Sequence, residues 1–230
     1  AGDEELRTEH DVPRTRIGRM AEVVVGRDRR LADREHEVAA LRRSLAIPPG
    51  AVVLTSFAVA AVHDPPELCV TLVSRLRERV GSTQLCLVWV VPPDRERLWI
   101  VHDLERTGLA GLVRVVEAEV PLPPYVEMSD LMVHASRSPQ HPLAYLDAAA
   151  LGVPIVCFEH HDLAELVGAD EGGAVCRSLD VVEMADRLAE LVADPCRRAR
   201  AGAAAADRVR ERNGVEGAAD RLWQQIEAAT

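Results

Sequence analysis

Between residues 51 and 177 the chain alternates, at near-constant spacing, between short apolar runs and amphipathic stretches. The runs read as strands over 51–57, 84–91, 112–116, 130–135, 153–158 and 173–177. None of them alternates apolar with polar residues. A strand that is apolar at every position needs cover on both faces, and helices between successive strands supply it. The intervening stretches read as helices over 65–80, 95–107, 123–128, 139–151, 163–167 and 179–193, followed by two more at 195–212 and 215–228. The pattern predicts an α/β fold: a doubly wound, parallel, six-stranded sheet with extra C-terminal helices.

The residues before this region are less regular. Residues 1–20 are polar, and Glu22-Val-Val-Val25 before Gly26 reads as an isolated strand. Leu31, Val38, Leu41 and Leu45 recur at helical spacing until Pro48-Pro49-Gly50 stops them. The expected organisation is an N-terminal segment over 1–47 and a Rossmann-like domain with terminal helices over 48–230. The first residue is Ala rather than Met, as expected of a processed chain or of part of a longer product.

Composition narrows the function classes. Hydrophobic residues make up 48% but aromatic ones only 3%, so the core must be aliphatic. A net charge of −10 argues against a nucleic-acid partner and against anionic lipid. All 27 basic residues are Arg, which removes lysine-dependent chemistry, a Walker P-loop included. Five Cys with no CxxC pair are expected to be buried, reduced thiols of a cytoplasmic protein. No run approaches the length of a transmembrane helix. Glu159-His160-His161-Asp162 has the residue types of a metal site. Adjacent residues of an extended loop point apart, however, and no second cluster has ligand spacing, so no metal is expected. His63-Asp64 before two prolines reads as helix initiation rather than an acid–base pair.

In a doubly wound sheet, ligands bind beyond the carboxyl ends of the strands, near the switch in strand order. No GxGxxG follows any strand, so a dinucleotide fingerprint is absent. The densest signal runs from Asp130 to Val156 as strand, loop, helix, Gly turn and strand. Ser138 suits a helix N-cap and Pro139 the first helical position. Such a helix start aims free N–H groups at the crevice and suits a phosphate or pyrophosphate. Asp147, two turns further on and nearly on the same face, offers a carboxylate to sugar hydroxyls. Gly152 ends the helix and Val153-Pro154 opens the next strand.

This stretch resembles the C-terminal, donor-binding domain of the group 1 (family 4) retaining glycosyltransferases, which have the GT-B fold. In that family a Ser-rich loop precedes Glu-Gly-Phe, a second Glu follows eight residues after the first, and then comes Ala-x-Ala-x-Gly-x-Pro-Val-Val. Here the matching residues are Ser136-Arg-Ser-Pro-Gln-His-Pro-Leu-Ala-Tyr-Leu-Asp147 and Ala148-Ala-Ala-Leu-Gly-Val-Pro-Ile-Val156. Leu122 to Asp130, Asp162-Leu-Ala-Glu-Leu-Val-Gly168 and Asp180-Val-Val-Glu-Met-Ala follow in family order.

The resemblance implies a Rossmann-like half of a GT-B fold that binds a nucleotide-diphosphate sugar as donor substrate and uses no cofactor. It implies that Asp147 holds the ribose, that backbone groups around Glu119, Val120 and Pro121 hold the base, and that Ser138, Gln140 and His141 face the diphosphate and sugar. Glu165 matches a family glutamate near the donor. The family binds donor phosphates with an Arg and a Lys in the loop after the first strand of this domain. That loop holds neither here, so His63 is its one candidate cation, and Arg137 is the guanidinium nearest the expected helix start. The first family glutamate is Pro139, and Gln140-His141 stand where the family has Gly-Phe. Two readings follow: a donor domain completed by an acceptor domain, or a degenerate homologue that serves as partner of a glycosyltransferase.

Overall fold

A computed structural model of the chain describes residues 31–57, 66–81, 84–91, 97–117, 123–137, 143–160, 163–168 and 171–228. The strand expected at 22–25 lies outside the described residues. The strands are β1 (Val52–Phe57), β2 (Leu85–Val91), β3 (Val113–Glu117), β4 (Leu131–His134), β5 (Ile155–Phe158) and β6 (Gly173–Cys176). The helices are α1 (Leu31–Ser44), α2 (Pro66–Val80), α3 (Arg97–Arg106), α4 (Pro123–Glu127), α5 (Ala144–Ala150), α6 (Leu163–Val167), α7 (Val181–Ala193), α8 (Pro195–Asn213) and α9 (Val215–Ala228). The six strands form one sheet in the order β3-β2-β1-β4-β5-β6. Every pairing is parallel. This is the doubly wound order, and its switch point lies between β1 and β4.

The unalternating strands are apolar because each sheet face carries its own core. Leu54, Leu87, Trp89, Val133 and Phe158 belong to one cluster, with Leu72 and Leu76 of α2, Leu104 of α3 and Leu188 of α7. Val53, Val88, Met132, Ile155 and Cys157 belong to the other, with Val126 of α4, Tyr145 and Ala148 of α5, Leu163 of α6 and Ala205 of α8. Adjacent residues of a strand thus go to opposite clusters, as a period of two requires. All seven residues of β2 are buried. Cys69, Cys86, Cys157 and Cys176 are buried free thiols, while Cys196 is exposed. Burial pushes the Cys157 thiol up to about 12 and raises Cys69 and Cys86 as well. No helix among the described residues is long and apolar enough to cross a membrane.

Helix ends are set by local chemistry. Asp180 caps α7 by accepting from the Glu183 amide at 2.9 Å, and Asp194 caps α8 by accepting from the Arg197 amide at 2.9 Å. That amide bond holds the Asp194 carboxyl below its ordinary range. α1 is tied to the sheet by Arg42, whose guanidinium donates to the carbonyls of Ala51 (2.9 Å) and Met128 (3.3 Å). At the end of α5, Gly152 adopts a left-handed φ of 78°. There α8 comes so close that a Cβ on Gly202 would overlap the Gly152 carbonyl.

The contact between Gly152 and Gly202 gives a prediction whose sign opposes helix propensity. Ala is favoured over Gly in a helix by about 1 kcal/mol. The clash at Gly202 is with backbone, which cannot rotate away. Gly202→Ala is therefore expected to destabilise the chain by about 1–3 kcal/mol in urea unfolding. An unchanged or raised midpoint would show that α8 does not pack this closely.

Candidate functional site

The switch point is where the sheet is least held by its own ladder. β1 and β4 pair only through Leu54↔Leu131 and Thr55↔Met132. Side chains bracket this short ladder at both ends. At the amino end, Asp130 accepts the Val53 amide at 2.8 Å through its carboxylate, and its own amide donates to the Val53 carbonyl at 2.8 Å. At the carboxyl end, the Tyr145 hydroxyl donates to the Val133 carbonyl at 2.6 Å and accepts the Phe57 amide at 3.2 Å. Tyr145 is completely buried. Its ring meets Phe57 edge-on at 6.1 Å and tilts against buried His134 at 4.8 Å.

Tyr145 is the second residue of α5, so this bond fixes that helix directly on the switch point. The described part of this helix is Ala144–Ala150. The helix start expected at Ser138–Pro139 lies outside the described residues. Asp147 sits in the first turn of the described helix, half-buried. A carboxylate there is favoured by the helix dipole.

Arg137 is exposed on the same crossover. Its guanidinium stands 3.8 Å from Glu67 in the first turn of α2, so the pair spans the switch point from the β4 side to the β1 side. Glu165 lies in the first turn of α6. Its carboxylate and its carbonyl each accept from Arg212 of α8 at 2.9 Å, so it is directed toward the C-terminal helices. His63, Glu119, Val120, Ser138, Gln140 and His141 lie outside the described residues. Asp147 and Arg137 are thus the described candidates on the two sides of the β4–α5 connection.

The carboxyl ends of β5 and β6 are joined by polar contacts. His160 directs Nε2 at the Ser136 carbonyl (3.2 Å) and Nδ1 at the Ser178 hydroxyl (3.0 Å), and its ring stacks on Phe158 at 5.7 Å. Glu159 accepts the Ser178 amide at 3.2 Å. Arg177 grips Glu183 at 3.0 Å and Asp180 at 2.7 Å. Bonds from the Arg177 amide and guanidinium hold the Glu183 carboxyl below its ordinary range. Among the described residues no group of three or more His, Cys, Asp or Glu is placed to share a metal ion. A groove of about 550 Å³ lined by Glu127, Asp130, Pro154 and Arg198 opens at the opposite, amino-terminal end of the strands, away from these residues.

The sequence reading passed over Tyr145. A signal existed: it is one of two tyrosines, set among Ala and Leu in a chain whose core is aliphatic. A lone phenol on such a helix must find a partner for its hydroxyl when buried.

A family model described as glycosyl transferases group 1 matches residues 50–194. A curated relative, the D-inositol 3-phosphate glycosyltransferase of Corynebacterium diphtheriae, is 25% identical over 187 residues, which cover 79% of this chain and 42% of the relative. The crystal structure of HepE from Anabaena in complex with UDP superposes with a TM-score of 0.71 at 18% identity, over 84% of this chain and 53% of that one. A glycosyltransferase from Rickettsia africae superposes with a TM-score of 0.77 at 11% identity, over 99% of this chain and 61% of that one. The chain therefore spans about half the length of these proteins.

Tyr145→Phe is expected to cost about 1–3 kcal/mol, because it withdraws the bridging hydroxyl from a buried amide and a buried carbonyl at once. Urea unfolding with an unchanged m-value checks this. A loss near zero would mean that the hydroxyl does not hold β1 and β4 together.

Proposed function

This chain belongs to the group 1 glycosyl transferases, and on that premise we propose that it is the nucleotide-sugar donor domain of a retaining glycosyltransferase. The reading is carried by the β4–α5 crossover, the segment with the family's motif, which sits on the switch point with Asp147 in the first turn of its helix. Open α/β sheets take their ligands at that place.

In this reading Asp147 accepts hydrogen bonds from the donor ribose. Arg137 turns to the diphosphate. Its present partner is an exposed glutamate at 3.8 Å, and exposed pairs of this kind contribute only about 0–1 kcal/mol. Exchange of that carboxylate for a diphosphate therefore costs little. Backbone groups around Glu119–Pro121 take the base, Ser138, Gln140 and His141 face the diphosphate and sugar, and His63 supplies a second candidate cation. Glu165, held by Arg212, borders the site from α6. In the transfer, the bond from the sugar to the departing diphosphate breaks and a bond to an acceptor oxygen forms. The contribution of this domain is to hold the donor and to stabilise the charge left on the diphosphate. The acceptor would be presented by a second domain, since the chain spans about half the length of its relatives.

A second reading makes the chain an auxiliary partner of another glycosyltransferase. It is favoured by Pro139 at the first glutamate of the motif and by the lack of Arg and Lys over 58–65. Titration calorimetry separates the two. Heat on addition of UDP, GDP or ADP sugars supports the donor domain, and silence at millimolar ligand overturns it in favour of the auxiliary role.

Where a nucleotide binds, Asp147→Ala is expected to weaken it by about 1–2 kcal/mol and Arg137→Ala by about 1.5–3 kcal/mol, with melting temperatures nearly unchanged. A variant that shifts only the melting temperature would mark its residue as structural.

A further inference from the structure

We infer that His160 is a positioning residue of the donor site: it sets the β4–α5 crossover by holding the Ser136 carbonyl. This rests on the donor-domain reading above. Three loops leave the carboxyl ends of β4, β5 and β6 side by side. His160, two residues beyond β5, touches both of the others. Its Nε2 lies 3.2 Å from the Ser136 carbonyl, two residues beyond β4. Its Nδ1 lies 3.0 Å from the Ser178 hydroxyl, two residues beyond β6.

The chemistry fixes the direction of these bonds. A carbonyl oxygen only accepts, so Nε2 carries the proton and donates to Ser136. The Ser178 hydroxyl then serves Nδ1. The ring has little freedom to turn, because it lies nearly parallel to Phe158, with 19° between the planes. Phe158 is itself fully buried in the sheet core. Ser178 is fixed in turn, since its amide donates to Glu159 at 3.2 Å. The next residue, Leu179, takes a left-handed φ of 62° and exposes its side chain. An exposed leucine gains no burial in that strained conformation, so the turn is kept by its polar contacts.

Ser136 is buried and immediately precedes Arg137. The carbonyl that His160 holds belongs to the peptide unit leading into that guanidinium. Tyr145 pins the helix end of the same crossover to the sheet, and His160 pins its strand end. His160 thus holds the carbonyl next to Arg137, beyond the end of β4. The inference assigns His160 no contact with the donor; it acts through Ser136.

The test is UDP binding to the full chain by titration calorimetry, with melting temperature recorded beside it. His160→Ala is expected to weaken UDP roughly tenfold, through loss of two hydrogen bonds at the loop junction. His160→Gln, whose amide can donate to the Ser136 carbonyl, should restore most of that affinity. Ser178→Ala keeps the histidine and removes one arm, and should cost roughly threefold; it carries the test if His160→Ala does not fold. Undiminished UDP affinity in His160→Ala, or in Ser178→Ala where that variant stands in, overturns the inference and leaves the donor reading intact. If the unaltered chain binds none of UDP, GDP and ADP, the donor reading fails and takes this inference with it.

Discussion

The hydroxyl of Tyr145 is the constraint on which the candidate site depends. A doubly wound sheet places its ligand crevice where two strands run side by side but their connections leave in opposite directions. There the ladder is weakest, and in this chain it comprises two residue pairs. One phenolic oxygen bridges the peptide groups of Phe57 and Val133 just beyond it. The bridge comes from the first turn of α5, so the same bond that holds the two strands also fixes the helix that carries Asp147. Sheet integrity and site geometry are coupled through one side chain. Asp130 closes the other end of the ladder with a carboxylate and an amide on Val53.

The architecture was legible because burial on both faces leaves a plain trace: apolar runs without alternation, separated by helical periodicity. Each of the six strands lies within two residues of its expected bounds. The crossover was less legible. Ser138 and Pro139 satisfy the rules for a helix start, and so does Pro142 three residues later; all three lie outside the described residues. Capping rules identify residues that can begin a helix, and they do not rank two adjacent candidates. The bonding partners of Tyr145 and His160 were not legible for a different reason. Both act by hydrogen bonds to backbone groups distant in sequence, and spacing does not report such bonds. Cys196 departs from the expectation of buried thiols because it follows Pro195 on an exposed first turn of α8.

The absence of lysine shapes how the molecule uses charge. Arg42 ties α1 to two loops, and Arg114 gathers the carbonyls of Leu45 and Gly111. Arg198 takes the last carbonyls of α7, and Arg212 takes Glu165. A guanidinium has several donors in a planar fork and can serve two or three carbonyls at once, which an ammonium does less well. These arginines are consumed in stapling loops and helix ends to the sheet. The contrast with Arg137, which among the described residues makes one long and exposed ion pair, is what sets it apart near the switch point.

That contrast also bears on the departures from the family motif. An Arg and a Lys on a diphosphate, at about 1.5–3 kcal/mol for each charge-assisted bond, amount to roughly 3–6 kcal/mol of donor affinity. The loop over 58–65 supplies neither. Under the proposed donor reading, a single guanidinium on the neighbouring crossover would replace about half of that sum if it is held in place, and less if it is free to wander. The value of Arg137 to a donor is therefore set by how firmly its backbone is fixed. His160 holds the carbonyl of the residue before Arg137, and Tyr145 fixes the helix that follows to the sheet.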